Sequence, residues 1–258
     1  MGVLMKKIFQ TLCVLLTLSS QANATSTNKL DRDIDASKFF PFTQTKQISS
    51  SYQKLAQLYR IKAFQSEQIK QPYNEFELLY QKSIAGQTEL EAISEQIAVQ
   101  SNSMVHSSGV KSKLRAIDKI NSDLAGNSEK ITDLARTSIV AKDIGTLMDA
   151  FALFDQQTEL VRVKNRFSSP GASGYRDLNL LVRLPKSKII AEVQLHLEAF
   201  SQIKNGKEHD NYQQIQQIER LQLTDNRALS EIELAAISKL RKESQQLYQQ
   251  AWNQYLTA

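Results

Sequence analysis

Polar residues recur at alternate positions in two nearby stretches of the chain, interrupted by Leu181 and Ile190, and they include carboxylates, amides, a guanidinium and an imidazole. They are Asp177, Asn179 and Arg183 in the first stretch and Glu192, Gln194 and His196 in the second. Because a strand sends alternate side chains to opposite faces, each stretch predicts a strand with an apolar back and a polar front. A carboxylate on such a front can bind a metal ion or accept a proton. An ordinary half-solvated sheet would carry the same alternation without any chemistry.

Two lysines and an aspartate earlier in the chain add the ingredients of a phosphate site. Lys111 and Lys119 lie in one predicted helix, and their spacing of about two turns, or ~12 Å, allows both to reach one extended polyphosphate. Two solvated lysines are the alternative. Asp133 lies near the start of a predicted strand. Because aspartate is uncommon in strands, Asp133 is either a metal ligand or a residue of the preceding turn.

The elements that must position these residues follow from the spacing of apolar side chains. Three- and four-residue spacing predicts helices over Gln44–Gln68, Asn74–Val99, 110–124, Lys142–Leu153, Leu197–Gly206 and Asn211–Leu223, and a long final helix after a Ser230/Glu233 capping box. The third of these helices is expected to bury Val110, Leu114, Ile117 and Leu124. Strands are predicted over Ile131–Ala141, Thr158–Lys164, 177–184 and 189–197, with a turn at Pro185–Lys188. The order predicts an α/β (α+β) fold with a mixed sheet and helical flanks at both ends.

The first residues are typical of a secretory signal peptide. Lys6 and Lys7 precede a short apolar run, and Ala22-Asn23-Ala24 follows it, so cleavage is expected after Ala24 and a periplasmic or secreted location follows. The apolar run is shorter than the ~20 residues of a membrane span. The only cysteine, Cys13, lies within this segment, so the remainder has no thiol nucleophile and no cysteine zinc site. Its formal charge is two lower than the +5 of the full chain, a mild excess that suits phosphate-bearing ligands.

A longer pattern resembles the synthetase domain of the RelA/SpoT family, whose members transfer pyrophosphate from ATP to a nucleotide 3′-hydroxyl. The residues that carry the resemblance are GYRDLN at 174–179, a strand ending in AEVQLH at 191–196, and the HxxY of His209 and Tyr212. The resemblance covers about Lys111 to Tyr212 and implies a nucleotidyltransferase-like mixed sheet. It divides the chain into a signal peptide (1–24), an N-terminal helical region (25–105), a synthetase domain (106–223) and a C-terminal helix (224–258).

The resemblance also implies a role for individual residues. Asp133 and Glu192 would be the catalytic pair and the ligands of Mg²⁺, and Glu192 would also serve in acid/base chemistry. The residues implied to bind substrate are Lys111, Arg115, Lys119, Lys164, Arg166, Tyr175, Asn179, Gln194, His209 and Tyr212. Lys111 and Lys119 would contact the phosphates of ATP, and the ring of Tyr175 would stack on the acceptor base. Such stacking is worth ~1–3 kcal/mol where it has been tested.

Three positions depart from the family's usual pattern. Gly109 stands where the family has an adenine-stacking arginine, so we expect ATP to be held chiefly through its phosphates, with Arg115 as the candidate replacement. Asn179 stands in place of a histidine, and the arginine of the aspartate-bearing strand is displaced to Arg136. These departures resemble the small single-domain and toxin-like branches of the family.

The favoured function is therefore an exported ATP-dependent nucleotide pyrophosphokinase that uses Mg²⁺. ATP would be the donor, and GDP or GTP, an adenine nucleotide or a tRNA 3′ end would be the acceptor. A catalytically silent nucleotide-binding or interaction module on the same fold is the second hypothesis, favoured by Gly109 and Asn179. A helical periplasmic binding protein is the third, and it makes no use of the resemblance.

Overall fold

The computed structural model describes residues 52–257, which lie within one compact unit. The predicted signal peptide at 1–24 and the first part of the predicted Gln44–Gln68 helix fall outside these residues. Within them, the second part of that helix is α1 (52–60), and the chain then turns into a short strand instead of continuing as a helix. None of the helices between residues 52 and 257 is long and apolar enough to cross a membrane.

Helices and strands alternate from residue 64 to residue 165, after which two more strands and then three helices follow. The helices are α2 (Phe76–Ser101), α3 (Lys113–Asp123), α4 (Ile144–Gln157), α5 (Glu198–Asn205), α6 (Lys207–Thr224) and α7 (Glu231–Thr257). The strands are β1 (Phe64–Gln65), β2 (Met104–Ser107), β3 (Arg136–Ala141), β4 (Glu159–Asn165), β5 (Leu178–Arg183) and β6 (Ile190–Leu197). Two local motifs predicted from the sequence are confirmed. They are the β5–β6 hairpin and the capping box, in which the Ser230 amide donates to Glu233 Oε2 over 2.8 Å.

The described strands form one mixed six-stranded sheet in the order β1-β4-β5-β6-β3-β2. Only the β3–β6 pair is parallel, and the other neighbours are antiparallel. The two edge strands, β1 and β2, differ from the sequence prediction, which has helix or loop there. Strand β2 pairs with β3 and spans the predicted boundary between residues 105 and 106.

One face of the sheet is apolar, as the alternation predicts. Leu178, Leu180, Val182, Ala191, Val193 and Leu195 are buried in one cluster with side chains of α2 and α4. The aromatic residues Phe167, Phe200, Tyr248 and Trp252 extend this cluster and join α5 and α7 to it. Burial of this face leaves the opposite, polar face of the central strands for function.

Helix α3 differs from its prediction in both its start and its buried side. It begins at Lys113 rather than at residue 110, after Gly109, which adopts a φ of +63°. Its buried residues are Ala116 and Ile120, whereas Leu114 and Ile117 are 77% and 36% exposed. Apolar side chains therefore lie on two faces of this short helix. The sequence predicted burial of the face with Leu114 and Ile117, whereas the face with Ala116 and Ile120 is the buried one.

Candidate active site

The polar face of the sheet carries two rows of side chains across the central strands. In one row, Lys164 of β4 lies opposite Asn179 of β5, which lies opposite Gln194 of β6. In the neighbouring row, Glu192 of β6 lies between Leu181 of β5 and Arg136 of β3. Strand register thus brings together residues that the sequence separates by tens of positions.

A cleft of about 560 Å³ opens along this face. The sequence-predicted site residues that line it are Arg115, Tyr175, Glu192, Gln194, His209 and Tyr212. The lining also includes Arg136, Lys204, Glu208 and Tyr248, none of which the sequence nominated for the site. Arg115 and His209 are exposed, and Tyr212 is half exposed, so these three have freedom to adjust to a ligand.

Asp133 lies just before β3 and holds two of the predicted phosphate-binding lysines. The Nζ atoms of Lys111 and Lys119 donate to Asp133 Oδ2 over 2.8 Å and 2.9 Å. Burial raises the pKa of Asp133, but the two lysines outweigh it and hold that pKa below its ordinary value. Asp133 is therefore ionised at neutral pH, and both lysines are directed to one point.

The arrangement around Asp133 fits a magnesium ion. Its second oxygen, Oδ1, is buried and has no hydrogen-bond partner, which leaves a carboxylate oxygen free to bind a cation. Glu192 lies near: its backbone amide donates to the carbonyl of Ala135, two residues after Asp133, over 3.0 Å. No group of three acidic, histidine or cysteine ligands occurs among residues 52–257. Two carboxylates suffice for Mg²⁺, because this ion keeps water and substrate phosphate oxygens as its remaining ligands.

Glu192 itself is held by Asn179. The Asn179 Nδ2 donates to Glu192 Oε1 over 2.8 Å, and Arg162 Nη2 donates to Asn179 Oδ1 over 2.7 Å. Burial lowers the pKa of Arg162, and the nearby charge of Glu192 acts in the opposite direction. Asn179 is 2% exposed, so it supports the site from within the sheet.

Strand β4 and the residue that follows it present a row of cations, Arg162, Lys164 and Arg166, at alternate positions. The charge of Arg162 lowers the pKa of Lys164, and burial and Arg166 add to that effect. Lys164 is exposed and forms no ion pair or hydrogen bond within residues 52–257. Arg166 is instead paired with Asp177. Lys164 is therefore the cation of this row that is most available to bind an anionic ligand.

Tyr175 is fixed by a buried polar network. Its hydroxyl lies 2.9 Å from both Asp177 Oδ2 and His196 Nδ1, so its single proton can serve only one of them at a time. His196 Nε2 lies 3.2 Å from Gln194 Oε1, to which Lys204 Nζ also donates over 2.7 Å. Burial raises the pKa of Tyr175 and Asp177 and holds the pKa of His196 well below its ordinary value. The alternation alone predicted a solvated polar front here, whereas Asp177 and His196 are almost fully buried.

The ring of Tyr175 contacts the protein on several sides. Tyr248 meets it edge-on, with ring centroids 5.6 Å apart, and Lys204 Nζ lies 5.8 Å from its centroid. Gly174, just before it, has a φ of +83°, and a Cβ there would lie 3.2 Å from Gln245 Cα of α7. Glycine is therefore required both by the backbone conformation and by the close approach of α7.

Three supporting residues escaped the sequence analysis because they belong to no motif. Arg162 and Lys204 are described above. Gln87 of α2 is buried and clamps the start of β3: its Oε1 accepts from the Arg136 amide over 2.8 Å, and its Nε2 donates to the Arg136 carbonyl over 3.1 Å. Only the polar character of Gln87 within a predicted apolar stripe could have drawn attention to it.

The mixed sheet and its helical flanks define an α/β domain, and Glu192 lies in a cleft that Arg115, Arg136 and Lys204 also line. No protein-family model matches the chain. A solved structure of the Type VI effector Tas1 in complex with its immunity protein has a similar fold, with a TM-score of 0.50 and 22% sequence identity over 67% of this chain and 94% of that one. Small alarmone synthetase 2 from Bacillus subtilis aligns with a TM-score of 0.45 and 18% identity, over 69% of this chain and 91% of that one.

One curated protein is similar in sequence, the (p)ppApp synthetase toxin Tas1 of Pseudomonas aeruginosa (strain UCBPP-PA14). The identity is 37% over 67 residues, which is 26% of this chain. The match spans only 15% of the length of that relative. The described part of the chain therefore has the fold of the Type VI effector Tas1. The 67 residues that match the (p)ppApp synthetase toxin support the resemblance seen in the sequence.

Proposed function

We propose that this protein is an ATP-dependent nucleotide pyrophosphokinase that transfers the β,γ-pyrophosphate of ATP to the 3′-hydroxyl of an acceptor nucleotide. The observation that carries the proposal is the cluster at Asp133. One of its oxygens holds two lysines and the other is buried without a partner, and the Glu192 backbone is tied to the same end of β3. The similarity to a (p)ppApp synthetase toxin supports the same reaction class.

Transfer of a phosphoryl-type group needs positioning and charge neutralisation more than covalent help. Lys111 and Lys119 exchange their carboxylate partner for the phosphates of ATP, and the exposed Lys164 adds a third cation. Asp133 and Glu192 would hold Mg²⁺, which would supply charge neutralisation at the phosphates. In this proposal the ring of Tyr175 stacks on the acceptor base. Its support is that Tyr175 lines the same cleft as Gln194, His209 and Tyr212.

Glu192 is the residue placed to accept a proton. The acceptor 3′-oxygen forms a bond to the β-phosphorus of ATP, the bond from that phosphorus to the α,β-bridging oxygen breaks, and AMP leaves. The hydroxyl proton passes to the Glu192 carboxylate. One of its oxygens is already engaged by Asn179, so the other is the proton acceptor.

A catalytically silent nucleotide-binding module is the second candidate, and one observation favours it. The Tyr175 ring already contacts Lys204, Arg166 and Tyr248 of its own chain. A base that stacks on this ring must displace at least one of these contacts. The module would then bind ATP at the lysines without presenting an acceptor for transfer.

One experiment separates the two candidates. Purified protein that begins at Thr25 is incubated with labelled ATP, Mg²⁺ and each acceptor class in turn: adenine nucleotides, GDP or GTP, and tRNA. The kinase produces a labelled pyrophosphorylated acceptor with one of them. The silent module binds ATP in a filter assay and yields no labelled acceptor in any reaction, and that result would refute the proposal.

Export is proposed on the sequence of residues 1–24, which lie outside the described part of the chain. A signal peptide would place the activity in the periplasm or outside the cell, and the description of Tas1 as a Type VI effector is compatible with action outside the producing cell. N-terminal sequencing of protein from the extracytoplasmic fraction is expected to begin at Thr25. Full-length protein confined to the cytoplasm would contradict export.

A further inference from the structure

Asn179 lies between the half-buried Arg162 and the proposed proton acceptor, and its amide can point in only one direction. Arginine has donors and no acceptor, so the group that faces Arg162 must be the Asn179 oxygen. The Asn179 Nδ2 must then face Glu192, as the contacts of 2.7 Å and 2.8 Å record. Arg162 thus decides the amide orientation, and the amide in turn donates to one chosen oxygen of Glu192.

The strand geometry directs these side chains at one another. Leu181 is the direct cross-strand partner of both Arg162 and Glu192, so Asn179, two residues away, is the diagonal neighbour of both. An irregularity in β4 between Leu160 and Arg162 shifts the register immediately before Arg162. Such irregularities re-aim the side chain that follows them.

The burial of Asn179 argues against a direct contact with substrate. The side chain is 2% exposed, and both its oxygen and its nitrogen already have a partner. Arg162 is also absent from the cleft lining, whereas Glu192 is part of it. The amide is therefore directed into the sheet, and only Glu192 reaches the cleft.

We propose that Arg162 and Asn179 are a positioning pair for Glu192, in which Arg162 acts through Asn179 and neither residue binds substrate. This inference rests on the proposed function for the role of Glu192, but the geometry of the pair stands apart from it. The pair engages one oxygen of Glu192 and leaves the other for the cleft. Without Arg162, the Asn179 oxygen loses its partner, and the amide is no longer fixed beside the Glu192 carboxylate.

A double-mutant cycle tests the order of action. Arg162→Met and Asn179→Leu are each expected to lower kcat about ten- to a hundredfold, the usual cost of losing a supporting partner, with little change in the KM for ATP. The kcat of the double variant is expected to be no lower than that of the less active single variant, because Arg162 acts through Asn179. Arg162→Lys, which keeps a donor and a charge, restores most of the lost kcat.

The outcomes that overturn the inference are distinct from these. If the two losses multiply, or if Arg162→Met raises the KM for ATP more than it lowers kcat, then Arg162 contacts the substrate itself. The matched control is Arg183→Met on β5, which removes an arginine that pairs with Glu159 instead. It is expected to leave kcat and KM unchanged.

Side-chain amide NMR tests the pair without any reaction. The Asn179 side-chain resonances are identified by their loss in Asn179→Leu, and they are expected to shift strongly in Arg162→Met and to stay in place in Arg183→Met. Unshifted resonances in a folded Arg162→Met variant would overturn the inference. If the wild-type chain transfers no pyrophosphate, the proposed function fails, whereas this measurement still decides whether Arg162 orients Asn179.

Discussion

Replacing Asp133 with asparagine is expected to weaken the fold and, at the same time, to strengthen binding of metal-free ATP. In the wild-type protein one carboxylate oxygen accepts from two ammonium groups, and the side chains of Lys111, Asp133 and Lys119 are 9%, 12% and 33% exposed. A hydrogen bond to a charged group contributes about 1.5–3 kcal/mol. Because Lys119 is a third exposed and solvent screens it, we expect Asp133→Asn to cost about 2–4 kcal/mol of unfolding free energy.

The effect on nucleotide has the opposite sign because Asp133 competes with phosphate for the lysines. Two like charges about 5 Å apart repel by about 3 kcal/mol at an effective dielectric constant of about 20. Salt reduces this to about 1–2 kcal/mol, which corresponds to a five- to thirtyfold change in Kd. In EDTA, the Asp133→Asn variant is therefore expected to bind a non-hydrolysable ATP analogue more tightly than wild type does.

Calorimetric titrations with and without Mg²⁺ test both halves of this prediction. Mg²⁺ is expected to strengthen binding by wild type much more than by the variant, which has lost a metal ligand. Asp149→Asn is the matched control, since Asp149 forms an exposed pair with Lys54, and its stability and nucleotide affinity are expected to stay unchanged. Metal-free binding by Asp133→Asn that is weaker than wild type would refute the assignment of these lysines to the phosphates.

Three further predictions follow from the same cleft. Tyr175→Phe keeps the ring but loses the hydroxyl contacts to Asp177 and His196, so it is expected to lower the unfolding free energy by about 1–3 kcal/mol and to leave the KM for the acceptor unchanged. Tyr175→Ala also removes the ring and is expected to raise that KM about tenfold or more. Equal KM values for the two variants would contradict stacking. Lys111→Ala is expected to raise the Kd for ATP much more than Arg115→Ala does in parallel titrations, because Lys111 is held at Asp133 and Arg115 is exposed. A larger increase in Kd for Arg115→Ala would assign base stacking to Arg115. Burial holds the pKa of His196 in the folded state below its ordinary value of 6.5, so the unfolded state binds more protons as pH falls below 6.5. The unfolding free energy is therefore expected to fall there by up to about 1.4 kcal/mol per pH unit. Chemical denaturation of a His196→Gln variant is expected to show a smaller change of unfolding free energy with pH, and an unchanged dependence would contradict the burial of a neutral imidazole.

The central strands were predictable from sequence because their alternation is strong and a turn joins them. Period two also placed Glu192 and Gln194 on one polar face, which the register of β6 confirms. The edge strands β1 and β2 were not predictable, because two and four residues are too few to establish a period. For β2, pairing with β3 supplies the stabilisation that local sequence does not.

The interior of the site was harder to predict than its surface. Alternation assigns Asp177 and His196 to a polar face, but it cannot report that Tyr175 and the neighbouring helices bury them. Arg162 and Lys204 lie in no motif, and their partners come from other strands and helices. The sequence nominated candidate site residues, whereas the residues that support them became visible only through tertiary contacts.

The most direct test of the central claim compares the products of wild type and Glu192→Gln. General acid/base catalysis contributes about 10²–10⁴-fold, and Glu192→Gln keeps the shape and the acceptor for the Asn179 amide while removing the charge. With ATP, Mg²⁺ and the preferred acceptor, mass spectrometry is expected to find AMP and 3′-pyrophosphorylated acceptor in equal amounts for wild type. The folded variant is expected to form both at least a hundredfold more slowly. Equal rates for the two proteins, or AMP formed by wild type without pyrophosphorylated acceptor, would contradict the assignment of Glu192 to this transfer.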